Sequence, residues 1–189
     1  MRERLEPDRR SADLIKIGLK IFAKTSFNSI SVSEIAKRAG TSKGLLFHYF
    51  PTKEDYYVAL LNEASLALIA LTDKSAHLAG PKRLAKIIAD LVDWVEEHPG
   101  LYQMLVRSDL GNHPQVRKVH DKKRRHYQEV ILNSVLGEKS SSIERDYQFL
   151  GATAYVESIL AQWIDARNLD KPQVHDILIK GVKKILLGR

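Results

Sequence analysis

Cysteine is absent from this chain of 189 residues. Its absence excludes cysteine-ligated zinc sites, iron–sulfur clusters, thiol nucleophiles and disulfide frameworks together, and it favours a reducing, intracellular setting. No such staple is needed, because a chain of this size buries about 70% of its unfolded surface in a core of its own. Long apolar runs are also missing. The longest nearly charge-free stretch, Tyr147 to Ile164, carries Gln148, Glu157 and Gln162, and it falls short of the roughly 20 apolar residues of a membrane-spanning helix. The opening MRERLEPDRR has no apolar segment of the signal-peptide kind, so a soluble, cytoplasmic protein with no membrane partner is expected. The devices of catalysis are lacking too. There is no glycine-rich phosphate loop and no nucleophile elbow, and the seven histidines (48, 77, 98, 113, 120, 126 and 175) contain no His-x-x-x-His pair. No catalytic residue, metal site or cofactor is expected, and an enzyme is the poorest of the functional classes.

What the chain does have is positive charge. It carries 30 Lys and Arg against 23 Asp and Glu, a net charge of +7. Such a balance raises the expectation of nucleic acid or another polyanion as partner. Its distribution is uneven. Residues 1–50 hold ten Lys and Arg against five acids, which is +5, and leave only +2 for the other 139 residues.

Glycine and proline mark clear breaks, at Ala39-Gly40, Phe50-Pro51, Gly80-Pro81, His98-Pro99-Gly100, Gly111 to Pro114, Gly137 to Ser142 and Asp170 to Pro172. Pro81, Pro99, Pro114 and Pro172 each precede a helix-period pattern, the position where a missing N–H is no loss. Between the breaks no alternating strand of useful length occurs. An all-α protein of about nine helices is predicted, near 8–25, 32–38, 42–48, 53–76, 82–97, 100–109, 115–136, 142–167 and 172–187. The eighth is apolar on nearly every side, and a helix of that kind must be covered on every side. With the ninth it suggests half of an antiparallel four-helix dimer interface, formed by Tyr155, Ile159, Val174, Ile177, Leu178, Gly181, Val182 and Ile185. A monomer core built from the same residues is the alternative.

The most informative stretch runs from Ser31 to Glu54, SVSEIAKRAGTSKGLLFHYFPTKE. Two short helices flank a tight turn at Ala39-Gly40-Thr41, where Gly40 supplies the left-handed stop and Thr41 or Ser42 caps the next helix. Val32, Ile35, Ala36 and Ala39 face inward from the first helix, Leu46 and Phe50 from the second, and the two alanines allow a close crossing. This is the layout of a helix-turn-helix, whose second helix enters the major groove with its N-terminal residues leading. Those residues are Thr41, Ser42, Lys43, Gly44 and Leu45. Lys43 is suited to a guanine edge or a phosphate, and a helix N-terminus attracts phosphate through its free N–H groups.

The stretch from about Ile17 to Leu61 closely resembles the signature of the tetracycline-repressor (TetR) family of bacterial transcriptional regulators. Phe27, Ile30, Ser31, Val32, Ile35, Ala36, Ala39, Gly40, Ser42, Lys43, Gly44, Leu46, Tyr49, Phe50, Lys53 and Glu54 fall at the matching spacing. Ser26 stands for the usual glycine, Thr41 for the usual valine, and Phe47 for a common tyrosine. The resemblance implies DNA contacts at Ser42, Lys43, Gly44, Leu45, His48, Tyr49 and Lys53, with Thr25 and Ser31 as further phosphate partners. Thr41 and Phe47 join this surface, though Phe47 lacks the hydroxyl that would donate to a phosphate. Packing against the fourth helix is the other role open to Tyr49. The resemblance further implies a DNA-binding domain over 1–52 and an effector-binding and dimerisation domain over 53–189. It implies a homodimer that holds a pseudo-palindromic, double-stranded operator and releases it when a small molecule binds.

For that effector the candidates are Trp94, Tyr102, Met104, Tyr127, Phe149, Tyr155, Glu157, Gln162 and Trp163. Glu157 is the sole acid in a long apolar run, where an ionised carboxylate needs a partner. A cationic ligand group, a basic residue across the dimer interface and an internal pair all satisfy it. A basic cluster, Arg117-Lys118 with Lys122 to Arg125, lies on the seventh helix, and Lys123 interrupts that helix's inner apolar face. A solvated face or an anionic-effector site would account for the cluster. A DNA-binding protein without regulation, and a ligand-binding helical protein without operator specificity, are the rival functions.

Overall fold

The computed structural model describes residues 7–23, 30–107, 113–138 and 142–188. Among them are nine α-helices and no strand: α1 Pro7–Phe22, α2 Val32–Arg38, α3 Lys43–Tyr49, α4 Lys53–Leu71, α5 Gly80–Glu97, α6 Pro99–Val106, α7 Pro114–Val130, α8 Ile143–Ala166 and α9 Lys171–Leu187. A 3₁₀ turn, Thr72–Ser75, follows α4, and a π-helical turn, Ile131–Leu136, follows α7. Both shorten helices that apolar periodicity alone extends. At the first, the Thr72 hydroxyl donates back to the Ile69 carbonyl, so a side chain competes for the end of the ladder. At the second, left-handed Gly137 ends the turn, its N–H returning to the Leu132 carbonyl.

The helices gather into two compact units. One draws on residues 1–65 and 98–119, the other on 66–97 and 120–189. The first therefore extends past residue 52 into α4 and takes in α6. Its core contains Leu14, Phe22, Ile35, Leu46, Phe50, Tyr56, Tyr57, Leu60, Leu101 and Leu105. Tyr56 donates its hydroxyl to the Leu14 carbonyl at 2.8 Å, and burial pushes its pKa up to about 12. Tyr57 donates to the Met104 carbonyl at 2.9 Å. Gly100 lies flat on the end of α1, where its N–H donates to the Ala23 carbonyl at 3.0 Å.

The second unit is built on the antiparallel pair α8 and α9. Two side chains of α8 reach across to α9 carbonyls, Arg145 to Leu186 at 2.7 Å and Tyr155 to Ile177 at 3.0 Å, and Trp163 donates to Leu169 in the connection between the helices at 2.9 Å. Asp170 caps α9 by accepting from Gln173 N–H, while the Gln173 side chain returns to the Asp170 N–H. The other flank of α9 meets α5, where Lys171 pairs with Asp93 and Glu96. The core of this unit includes Leu84, Ile88, Val92, Phe149, Leu160, Trp163, Val174, Leu178 and Val182.

Candidate functional site

The local structure of α2 and α3 follows from their capping residues. Ser31 accepts from the Glu34 N–H at 3.2 Å, and Ser42 accepts from the Leu45 N–H at 3.0 Å. Each serine satisfies one of the donors left free at a helix start. Between the helices Gly40 adopts φ +60°, which costs a glycine little and a side-chain residue more. The Gly40 N–H returns to Lys37 at 3.1 Å and the Thr41 N–H to Ala36 at 2.9 Å. This closes α2 and swings α3 away. Ile35, Ala36, Ala39, Leu46 and Phe50 are buried beneath the motif.

That burial selects the outer face of α3. Lys43, Gly44, Leu45 and His48 are exposed, and Phe47 and Tyr49 are half-buried. The Lys43 ammonium lies 5.6 Å from the Phe47 ring centroid, so Phe47 holds the lysine stem against the helix. The His48 and Tyr49 rings meet edge to face at 5.2 Å. Of the residues expected on this surface, the structure brings together Ser42, Lys43, Gly44, Leu45, Phe47, His48 and Tyr49, with Ser31 at the start of α2 and half-buried Lys53 at the start of α4. Thr41 is a correction: its hydroxyl is enclosed and has no hydrogen-bond partner among the described residues, so it faces inward. Thr25 lies outside the described residues. On α2, Arg38 is held to Glu34 at 2.8 Å, and that hydrogen bond keeps the Glu34 carboxyl below its ordinary pKa.

The expected effector residues do not form one group. Tyr102 and Met104 are buried in the first unit, whereas Trp94, Tyr127, Phe149, Tyr155, Glu157, Gln162 and Trp163 belong to the second. Phe149 and Trp163 are core residues, and Gln162 is exposed. Tyr127 donates to the Leu68 carbonyl at 2.7 Å, and beside it His126 meets the Thr72 hydroxyl at 2.9 Å. Together they hold the C-terminal end of α4, a link that periodicity does not reveal. Glu157 is paired within the chain, to Lys123 at 3.2 Å. Sequence spacing marks Lys123 only as an interruption of the inner face of α7.

The expected interface residues divide by burial. Val174, Leu178 and Val182 are buried in the chain's own core, as in the monomer-core alternative, and are not open to a partner. Tyr155, Ile159, Ile177, Gly181 and Ile185 are half-buried. The absent side chain of Gly181 makes room for the Tyr155 ring of the same chain. The open face of α8 instead carries Ile143 and Tyr147, 77% and 72% exposed, followed by Leu150, Gly151, Ala154 and Ser158. Among the described residues no helix is long and apolar enough to cross a membrane, and no three His, Asp or Glu are grouped to hold a metal ion.

Three comparisons bear on this arrangement. Residues 14–60 match the family model described as bacterial regulatory proteins, tetR family. The HTH-type transcriptional activator FasR of Mycolicibacterium smegmatis is 26% identical over 115 residues, covering 60% of this chain and 52% of that protein. The chain thus spans about half the length of the curated relative it matches. Among solved structures, a tetR-family transcriptional regulator from Streptomyces coelicolor superposes with a TM-score of 0.81 at 24% identity, over 96% of this chain and 82% of that one. The TetR-family repressor FadR of Thermus thermophilus, solved in complex with lauroyl-CoA, superposes with a TM-score of 0.70 at 18% identity, over 94% of each chain. The matched segment is the same α1 to α4 region that builds the capped helix-turn-helix, so the likeness to the tetR family of bacterial regulatory proteins rests on that segment, while the solved structures share the fold of nearly the whole chain.

Proposed function

We propose that this protein is a ligand-responsive, sequence-specific DNA-binding regulator, a homodimeric repressor that leaves a pseudo-palindromic operator when a small molecule binds the second unit. The observation that carries this reading is the outer face of α3. A short helix, capped at Ser42 and packed from behind by Leu46 and Phe50, presents Lys43, Gly44, Leu45, His48 and Tyr49 outward. Lys43 reads a guanine edge or a phosphate, Gly44 lets the backbone approach DNA, and Ser31 with Lys53 holds flanking phosphates. Effector control is supported by the tetR-family FadR, whose structure contains lauroyl-CoA. Two-fold symmetry would set the two α3 helices about 34–36 Å apart, one turn of DNA. The exposed apolar side of α8, from Ile143 to Ala154, supplies the self-complementary face. The named relatives are transcriptional regulators, and no step of catalysis is assigned to this chain.

Fluorescence anisotropy with DNA from upstream of the protein's own reading frame, set against random DNA, tests the proposal. Tight binding to the former alone is expected. Equal affinity for both would overturn sequence-specific regulation.

A further inference from the structure

Lys123 stands out in the second unit. It lies on α7 in phase with buried Val116 and Val119, and its side chain is only 8% exposed. An ammonium group carries three donors, yet among the described residues its one hydrogen-bond acceptor is Glu157 Oε1 at 3.2 Å. Donors left unmet inside a protein are costly. The pair is also lopsided. Glu157 is 35% exposed, so its carboxylate can turn into water, while the lysine cannot leave the interior as readily. His120, one turn earlier on α7, has its pKa held below the usual histidine value by burial and by the Lys123 charge. It is therefore neutral at pH 7 and adds no second cation. The result is one enclosed positive charge held by a carboxylate that has somewhere else to go.

We propose that Lys123 is the anchor for an effector with a carboxylate head and an apolar body, and that Glu157 occupies the head group's place until the effector arrives. This rests on the effector-responsive reading above and names the chemical class. An incoming carboxylate takes over the ammonium and supplies the missing acceptors. Glu157 then swings to solvent, so the interior holds one neutral ion pair before and after. A neutral ligand cannot displace Glu157 on these terms, and a cationic one would leave Lys123 unpaired beside it. The exchange removes one link between α7 and α8 and leaves the Gln128–Asp146 hydrogen bond in place, giving the ligand a differential effect on the two helices, as any effector requires.

The test uses the full chain without DNA. Thermal shift and calorimetry are run with octanoate, octanol and octylamine, and with phenylacetate, phenylethanol and phenethylamine, on wild type, Lys123→Met and Glu157→Gln. At least one carboxylate is expected to raise the wild-type melting temperature while its alcohol and amine counterparts do not. Its affinity should fall more than tenfold in Lys123→Met and rise several-fold in Glu157→Gln, where the internal competitor is gone. The proposal is overturned if no carboxylate raises the melting temperature, if the alcohols match the acids, or if Lys123→Met binds like wild type. Should Lys123→Met not fold, Glu157→Gln decides alone, and unchanged or weaker carboxylate binding there overturns the proposal. Failure here leaves operator recognition standing, whereas carboxylate binding that leaves the operator complex intact would sink the regulatory reading instead.

Discussion

Lys43 is exposed, on the leading turn of α3, with its ammonium over the Phe47 ring of its own helix. If it meets a phosphate, Lys43→Ala will lower affinity evenly across DNA sequences and reduce the salt slope by about one. If it reads a guanine, the loss will be about 1–3 kcal/mol and confined to one operator position. Titrations on operator variants at two salt concentrations separate these outcomes, and no change in either would displace α3 from the groove. Tyr56 is a stability residue by contrast. Tyr56→Phe removes the second donor to the Leu14 carbonyl, which keeps its place in the α1 ladder, and urea unfolding should register a loss of about 0.5–1.5 kcal/mol. His120 gives a pH prediction. Its folded pKa lies below the unfolded one, so its contribution is complete above the unfolded value near 6.5 and is lost as pH falls towards the folded value. His120→Gln should therefore lose less stability than wild type between pH 7 and pH 5. The contact candidates on α3 were legible because spacing from buried Leu46 dictates which residues face out. The inward turn of the Thr41 hydroxyl was not, since it depends on how the turn packs.

At the scale of elements, caps and close approaches matter most. Ser42 is both the cap of α3 and a DNA-contact candidate. Ser42→Ala should cost about 1 kcal/mol of stability in chemical denaturation, and Ser42→Asp, which keeps the cap, should restore stability while repelling DNA. That contrast separates the two roles. Gly100 opens the helix α6 directly on the carbonyl of Phe22, and a methyl group there would collide with backbone rather than with a yielding side chain. Gly100→Ala should destabilise by about 1–3 kcal/mol, as overpacking does, and a melting temperature equal to that of wild type would contradict this packing of α6 on α1. Periodicity located all nine helices, because a 3.6-residue repeat of apolar side chains is a local property. It overran the ends of α4 and α7, where the Thr72 side chain and a π-helical turn redirect the backbone.

For the whole molecule, the charge is the link between sequence and function. The first 50 residues hold a net +5 of the chain's +7, and a dimer would present that surface twice. Operator affinity should then fall steeply with salt, by about three or more decades between 50 and 200 mM if six or more phosphates are neutralised. A shallow slope would point to a single α3 engaging DNA. The basic stripe on α7 does not share in this arrangement as one cluster. Lys123 is buried with Glu157 and Arg124 pairs with Asp121, while Arg117, Lys118, Lys122 and Arg125 stay exposed.

Much of this was decided along the chain itself. Caps, turn glycine, apolar period and local charge act within a few residues, so the sequence by itself determined an all-α protein with a helix-turn-helix and the outward residues of α3. Tertiary structure alone decided which of two apolar faces a helix buries. It turned Val174, Leu178 and Val182 into core, laid the Tyr155 ring on Gly181, and left Ile143 and Tyr147 bare. It also gave Glu157 an internal partner, by bringing Lys123 from 34 residues away to meet it. The physical reason is the same in each case: an amphipathic pattern specifies that a face must be covered, and only packing of distant segments specifies by what.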